Sequence, residues 1–153
     1  MRTIEHYLPD HPFFAGLNPN ALALVAGCAT NVRFAPGEFL FRTGQPANQF
    51  FVVRRGRVAI EVHSPATGTM VVDTADAGDV AGWSWLVPPH HWHFDARALT
   101  STRAIAFDGR CLRGRFEDDY EFGFELLKRF SHIIVERLEA TGLQLLDACS
   151  HHA

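Results

Sequence analysis

The hydrophobic pattern changes period twice along the chain. Residues 1–28 are helical in character: Asn18-Pro19 offers an N-cap with proline in the first turn, Ala21-Leu22-Ala23-Leu24-Val25-Ala26 continues it, and Gly27 is placed to stop it. Residues 29–108 are strand-like. Val32 and Phe34, Phe39 and Phe41, and Val58, Ile60 and Val62 recur at every second position. Phe50-Phe51-Val52-Val53 is a short apolar run bounded by turn residues, as expected of a strand buried on both faces. Gly37, Gly44, Gly56 and Gly78 punctuate the runs where tight turns need a positive φ. Many short strands with regular turns predict an all-β roll, barrel or sandwich.

Residues 109–149 return to the helical period. Tyr120, Phe124, Leu127, Ile134, Leu138, Thr141 and Leu145 recur at spacings of three, four and seven. A helix from 118 to 148 would be roughly 45 Å long at about 1.5 Å per residue. A second stripe through Leu126, Phe130 and Ile133 lets its first half lie on the β layer. The second half narrows to Leu138, Thr141, Leu145 and Leu146, flanked by Glu136, Arg137, Glu139 and Asp147. So narrow a seam wants a partner helix, which predicts a parallel coiled-coil homodimer; folding back on its own domain is the alternative.

Composition narrows the class. With 153 residues, 47% hydrophobic and 20% charged, the chain reads as one globular domain able to bury its own core. A net charge of −3 lacks the basic footprint of a nucleic-acid binder. Cys28, Cys111 and Cys149 are scattered without a CxxC pair, which suits free thiols in a reducing cytoplasm. The polar start Met1-Arg2-Thr3-Ile4-Glu5-His6 and the lack of a membrane-length apolar run point the same way. No phosphate-binding P-loop, HExxH or HxxxH spacing stands in the sequence, and Ser84 lacks the closing glycine of a hydrolase elbow. An enzyme is not expected.

The segment from Leu40 to Gly56, with Gly44, Ala47, the run Phe50–Val53 and the final glycine, resembles the signature of the cyclic-nucleotide-binding domain family, which includes the catabolite activator and FNR-type regulators. Pro36-Gly37-Glu38 and Ala77-Gly78-Asp79 sit where that family places its turns, and the resemblance extends from Pro12-Phe13-Phe14 to Arg137-Leu138. It implies a mainly β fold with α: a jelly-roll-like β-roll with N-terminal helices (1–28), the roll itself (29–108) and C-terminal helices (109–149).

In that family a carboxylate following a glycine takes the ribose hydroxyl, backbone N–H groups opening a short helix hold the cyclic phosphate, and an arginine matches its charge. By resemblance the ligand-binding residues are Gly78, Asp79, Val80, Ala81, Gly82, Trp83, Trp92, Arg97 and Thr141, with cyclic AMP or cyclic GMP as the implied ligand. Asp79 takes the carboxylate role one methylene short. Counting back from a strand at Thr102–Phe107, the phosphate arginine falls near Trp92; Arg97 falls on the next strand and would have to swing in. A lost charged hydrogen bond costs about 1.5–3 kcal/mol, or roughly 10- to 100-fold in affinity. Thr141 lies where relatives offer a hydroxyl to the base, although a threonine on a helix seam is equally a tolerated small residue. The mid-helix Gly142 would permit a close crossing or a bend.

Trp83, Trp85 and Trp92 share this stretch with His90, His91 and His93. The tryptophans either pack the core at the mouth of the roll or line an aromatic pocket. His91 and His93 on a strand would point to one face, which a metal or haem could exploit, with Asp95 the near neighbour. His151-His152 reads as a solvated end. Three functions follow. The leading one is a small-ligand sensor that signals through its C-terminal helix to a protein partner. The second is a non-binding dimeric scaffold whose pocket its own tryptophans plug, and the third is a cupin-like metal or haem protein. Relatives that regulate transcription continue past the long helix into a helix-turn-helix, so with Ala153 as the last residue DNA is not an expected partner.

Overall fold

The computed structural model describes residues 3–152, with side chains described as far as Asp147; Cys149, His151 and His152 lie outside the described side chains. Short helix α1 (Ile4–Tyr7) and a 3₁₀ turn (Leu8–Asp10) precede α2 (Pro19–Gly27). Eight strands follow among the described residues: β1 (Ala29–Phe34), β2 (Phe39–Phe41), β3 (Gln49–Arg55), β4 (Val58–Ser64), β5 (Gly68–Ala75), β6 (Val80–Ala81), β7 (Asp95–Ala98) and β8 (Thr102–Asp108). A second 3₁₀ turn (Ser84–Leu86) lies between β6 and β7, and α3 (Gly109–Phe116) and α4 (Tyr120–His152) complete the chain. Asn18 caps α2 as its sequence implies, its Oδ1 accepting from Ala21 N–H at 2.8 Å.

The strands form two antiparallel four-stranded sheets, ordered β1-β8-β3-β6 and β2-β7-β4-β5. This is the expected β-roll with N-terminal helices and a long C-terminal helix. The run Phe50–Val53 lies in β3, paired on both edges by β8 and β6, and all four residues are buried. After β3 the chain reverses at Gly56 with φ +103°, where a Cβ would stand 2.7 Å from the Ser101 carbonyl oxygen and 2.9 Å from Thr102 Cα.

Aromatic stacking joins the roll to its helices. Phe50 stacks on Phe107 at 4.5 Å and on Trp85 at 5.1 Å, while Phe130 of α4 meets Phe50 and Trp85 edge-on at 5.0 and 5.4 Å. Phe122, Leu126 and Phe130 form the buried face of α4. The other stripe of that helix is open: Tyr120 is 80% exposed, Phe124 63%, Leu127 51%, Leu138 70% and Leu145 62%. Arg129 ties the helix down by donating from Nη1 to the carbonyls of Phe13 and Ala15. The helix starts two residues later than its apolar spacing suggests, because Asp119 Oδ1 accepts from Phe122 N–H and ends the turn that follows α3.

Of the three tryptophans, Trp85 belongs to the core and is fully buried. Its Nε1 finds no hydrogen-bond partner, and Gly109 leaves room for it where a Cβ would come within 2.9 Å of the ring. Trp85→Ala is expected to cost about 3–5 kcal/mol, whereas Trp85→Phe, which sacrifices no hydrogen bond, costs roughly 1–2 kcal/mol. Thermal melts of both variants check this.

The stretch carrying His91 and His93 is not a strand. His90 adopts φ +58°, His91 makes only an isolated bridge to Pro46, and β7 begins at Asp95. The loop is instead stitched to the 44–47 turn through Gly44 N–H to Trp92 O, Ala47 N–H to His90 O and Trp92 N–H to Gln45 O. Backbone bonding of this kind removes the alternation on which a shared histidine face depended.

Candidate functional site

A cavity of about 320 Å³ opens between the roll and α4. Phe41, Ile60, Val72 and Ala75 of the second sheet form its floor, and Val80 to Ser84 with Trp92 and Phe94 form one wall. Ile134, Arg137, Leu138 and Thr141 of α4 close the other. The lining is overwhelmingly apolar, and its size lies at the small end of the range for ligand sites.

Two contacts shape the cavity's inner end. The Trp92 indole stacks on Phe41 with centroids 3.7 Å apart and planes 12° from parallel. Its far edge lies against Gly82, where a Cβ would stand 2.7 Å from the ring and where φ is +94°. Gly82 is therefore a position that only glycine fills without displacing the indole. Trp92 is 5% exposed, and half-buried Trp83 lies next to Gly82 on the wall.

Charge in the cavity is already matched. Among the described residues lining it, Arg137 is the one cation, and its Nη1 stands 2.9 and 2.8 Å from the two Asp73 carboxylate oxygens. That pair ties α4 to β5 across 64 positions, a separation that leaves no local signal in the sequence.

The residues singled out from the sequence divide into two groups. Val80, Ala81, Gly82, Trp83, Trp92 and Thr141 all line this cavity. Gly78, Asp79 and Arg97 do not. Gly78 and Asp79 are pinned to β3 by Gly78 N–H to Val53 O and Val53 N–H to Asp79 O, and Asp79 Oδ2 accepts from Asp76 N–H at 2.8 Å. This carboxylate closes its own turn and borders a separate, more polar cleft of about 850 Å³ beside His11, Lys128 and His132. His11 Nδ1 accepts from Phe13 N–H, so its Nε2–H donates to the Gly78 carbonyl at 2.7 Å and fastens the N-terminal segment there. The glycine that does face the cavity is Gly82, and the residue after it is Trp83, which brings no carboxylate.

Arg97 is spoken for as well. The rungs Ala59↔Arg97 and Glu61↔Asp95 make Arg97 and Glu61 diagonal neighbours on one face of the β4–β7 pair. Arg97 donates from Nε and Nη2 to the two oxygens of buried Glu61 at 3.0 and 2.8 Å. The carboxylate in turn holds the guanidinium above its usual range. Turning Arg97 into the cavity would strand a buried carboxylate.

Burial, then the positive charge of Arg113, pushes the His90 imidazole below its usual range. Among the described residues no group of three or more His, Cys, Asp or Glu is arranged to hold a metal ion. No helix among them is long and apolar enough to cross a membrane. Chemically, the cavity can hold a small, largely apolar molecule against the roll and α4 at the same time.

Residues 31–119 match the family model of the cyclic nucleotide-binding domain. Over 144 residues the chain is 25% identical to a CRP-like cAMP-activated global transcriptional regulator of Mycobacterium tuberculosis, covering 94% of this chain and 62% of that one. The chain thus spans less than two thirds of that relative's length. A stretch of 70 residues, 46% of this chain and 21% of the relative, is 34% identical to the acetyltransferase Pat of Mycolicibacterium smegmatis. Among solved structures, a candidate cyclic nucleotide-binding protein from Geobacter metallireducens superposes with a TM-score of 0.79 at 25% identity, covering 90% of this chain and 99% of that one.

Proposed function

This chain belongs to the cyclic nucleotide-binding domain family, and we propose from that premise that it is a small-ligand sensor module of the cytoplasm, not an enzyme, with its ligand seated between the roll and α4. The observation that carries this reading is the makeup of the cavity: Gly82, Trp83 and Trp92 face Ile134, Leu138 and Thr141 across it. Any occupant therefore touches the roll and the long helix together. Binding that favours one placement of α4 over another shifts the population toward it.

The ligand is a small, largely apolar molecule. Trp83 stands after the cavity glycine where a carboxylate would meet a ribose, and Trp92 occupies the neighbourhood of the phosphate-matching arginine. With each charged hydrogen bond worth about 1.5–3 kcal/mol, loss of both anchors weakens cyclic AMP or cyclic GMP by roughly 100-fold or more. The open stripe on α4 pairs with its copy in a homodimer, and the output goes to a protein effector. Two relatives fit this arrangement, since in each the matched stretch is one part of a longer chain with a regulatory or catalytic output. The net charge of −3 disfavours direct contact with DNA.

Titration settles the ligand class. The neutral planar probe N-phenyl-1-naphthylamine is expected to quench indole emission at micromolar concentration, and calorimetry with cyclic AMP and cyclic GMP is expected to give no heat in that range. Micromolar binding of either nucleotide would overturn the apolar-ligand assignment. The stacking of Trp92 on Phe41 and Gly82 favours a second reading, a scaffold subunit whose pocket is filled by its own indole. Unchanged fluorescence with the probe and both nucleotides would select it.

A further inference from the structure

Two of the cysteines that look scattered in the sequence meet on the surface, and we propose that Cys28 and Cys111 form a peroxide-oxidisable dithiol that closes to an intramolecular disulfide. They lie 83 positions apart, yet the two sulfurs stand 2.6 Å from each other. Rigid elements produce this meeting. Cys28 follows α2 and immediately precedes β1, whose first rung pairs Ala29 with Phe107 of β8. Asp108 N–H donates to the Cys28 carbonyl at 2.8 Å, and Asp108 Oδ1 caps α3 by accepting from Cys111 N–H at 3.1 Å. One aspartate thus holds both cysteine backbones, and closure asks only for side-chain adjustment.

The two sulfurs differ in access. Cys111 is exposed and Cys28 is half-buried. Burial, and then the adjoining Cys111 sulfur, push the Cys28 thiol up to about 12, with Asp108 adding to the rise and Arg115 opposing it. Exposure therefore makes Cys111 the sulfur that meets the oxidant. Attack of the Cys111 thiolate on the peroxide O–O bond gives a sulfenic acid and hydroxide, which takes up the proton that the thiol released. Cys28 sulfur then attacks the sulfenic sulfur and loses its own proton, the S–O bond breaks, and a second water leaves. In sum, two thiols and one hydrogen peroxide give one disulfide and two waters.

The bridge fastens the start of α3 to the end of α2. Arg113, on the next turn of α3, donates to the carbonyls of Ala47 and Trp85 at 3.2 and 2.6 Å, so the bridged helix also clasps the tryptophan turn. Oxidation thereby fixes the root of the C-terminal helices against the roll.

The test treats the intact chain with stoichiometric hydrogen peroxide and counts free thiols. They are expected to fall from three to one, with a non-reduced digest yielding one linked peptide pair containing Cys28 and Cys111. The melting temperature should rise by roughly 5–10 °C, reversed by dithiothreitol. Cys28→Ser should halt the reaction at a Cys111 sulfenic acid trapped by dimedone, and Cys111→Ser should give neither product. Three surviving thiols after treatment, or linkage only between chains, would overturn the proposal.

Discussion

Gly56→Ala is expected to destabilise the fold by about 3–5 kcal/mol. Two effects add. The φ of +103° is strained for any residue with a Cβ, and the new carbon would lie 2.7 Å from the Ser101 carbonyl oxygen and 2.9 Å from Thr102 Cα. Those atoms belong to the backbone leading into β8, the strand that pairs with both β1 and β3, and they have no rotamer through which to yield. Gly44→Ala provides the comparison. Its φ is +87°, but open space surrounds the added carbon, so strain alone should cost about 1–2 kcal/mol. Urea unfolding of the two variants separates the steric contribution from the dihedral one. Equal stabilities would show that the 101–102 backbone can move aside.

Leu127→Asp should convert the proposed dimer to a monomer without harming the fold. Leu127 is 51% exposed in the isolated chain and lies on the open stripe with Phe124 and Leu138, away from the Phe122–Leu126–Phe130 face. Across a two-fold axis each substitution acts twice. Burying a leucine is worth about 1.5–3 kcal/mol, so the dimer loses roughly 3–6 kcal/mol and its Kd rises by roughly 100- to 10,000-fold. Sedimentation velocity reads the change, and far-ultraviolet circular dichroism checks that the helix persists. A parent chain that sediments as a monomer at high micromolar concentration would remove the dimer from the proposal.

The β-roll and the long helix are legible in the sequence because each rests on local pattern. Phe50–Val53 reads as a two-sided buried strand, and Asn18-Pro19 marks a helix start without reference to distant residues. The site is less legible, because its occupants are chosen by contacts across the chain. Nothing near Arg97 announces that Glu61 will hold it, since that partner depends on the register of β4 against β7. Asp79 reads as a ligand carboxylate after a glycine, yet its side chain closes its own turn at Asp76 N–H while its backbone is held by distant Val53. The three tryptophans separate only because a 3₁₀ turn sends Trp85 into the core while the loop stitched to residues 44–47 lays Trp92 on Phe41. Likewise, Cys28 and Cys111 look unrelated until β1 and β8 pair.

Beyond Thr141 no described side chain of α4 is buried, although the helix continues to His152. The stretch from Arg137 onward adds about 22 Å of rod whose fulcrum is the Asp73 ion pair. Tilting it by roughly 5° at that pivot swings its tip by about 2 Å. A displacement too slight to disturb the roll is thus geared up into one that a facing surface can read.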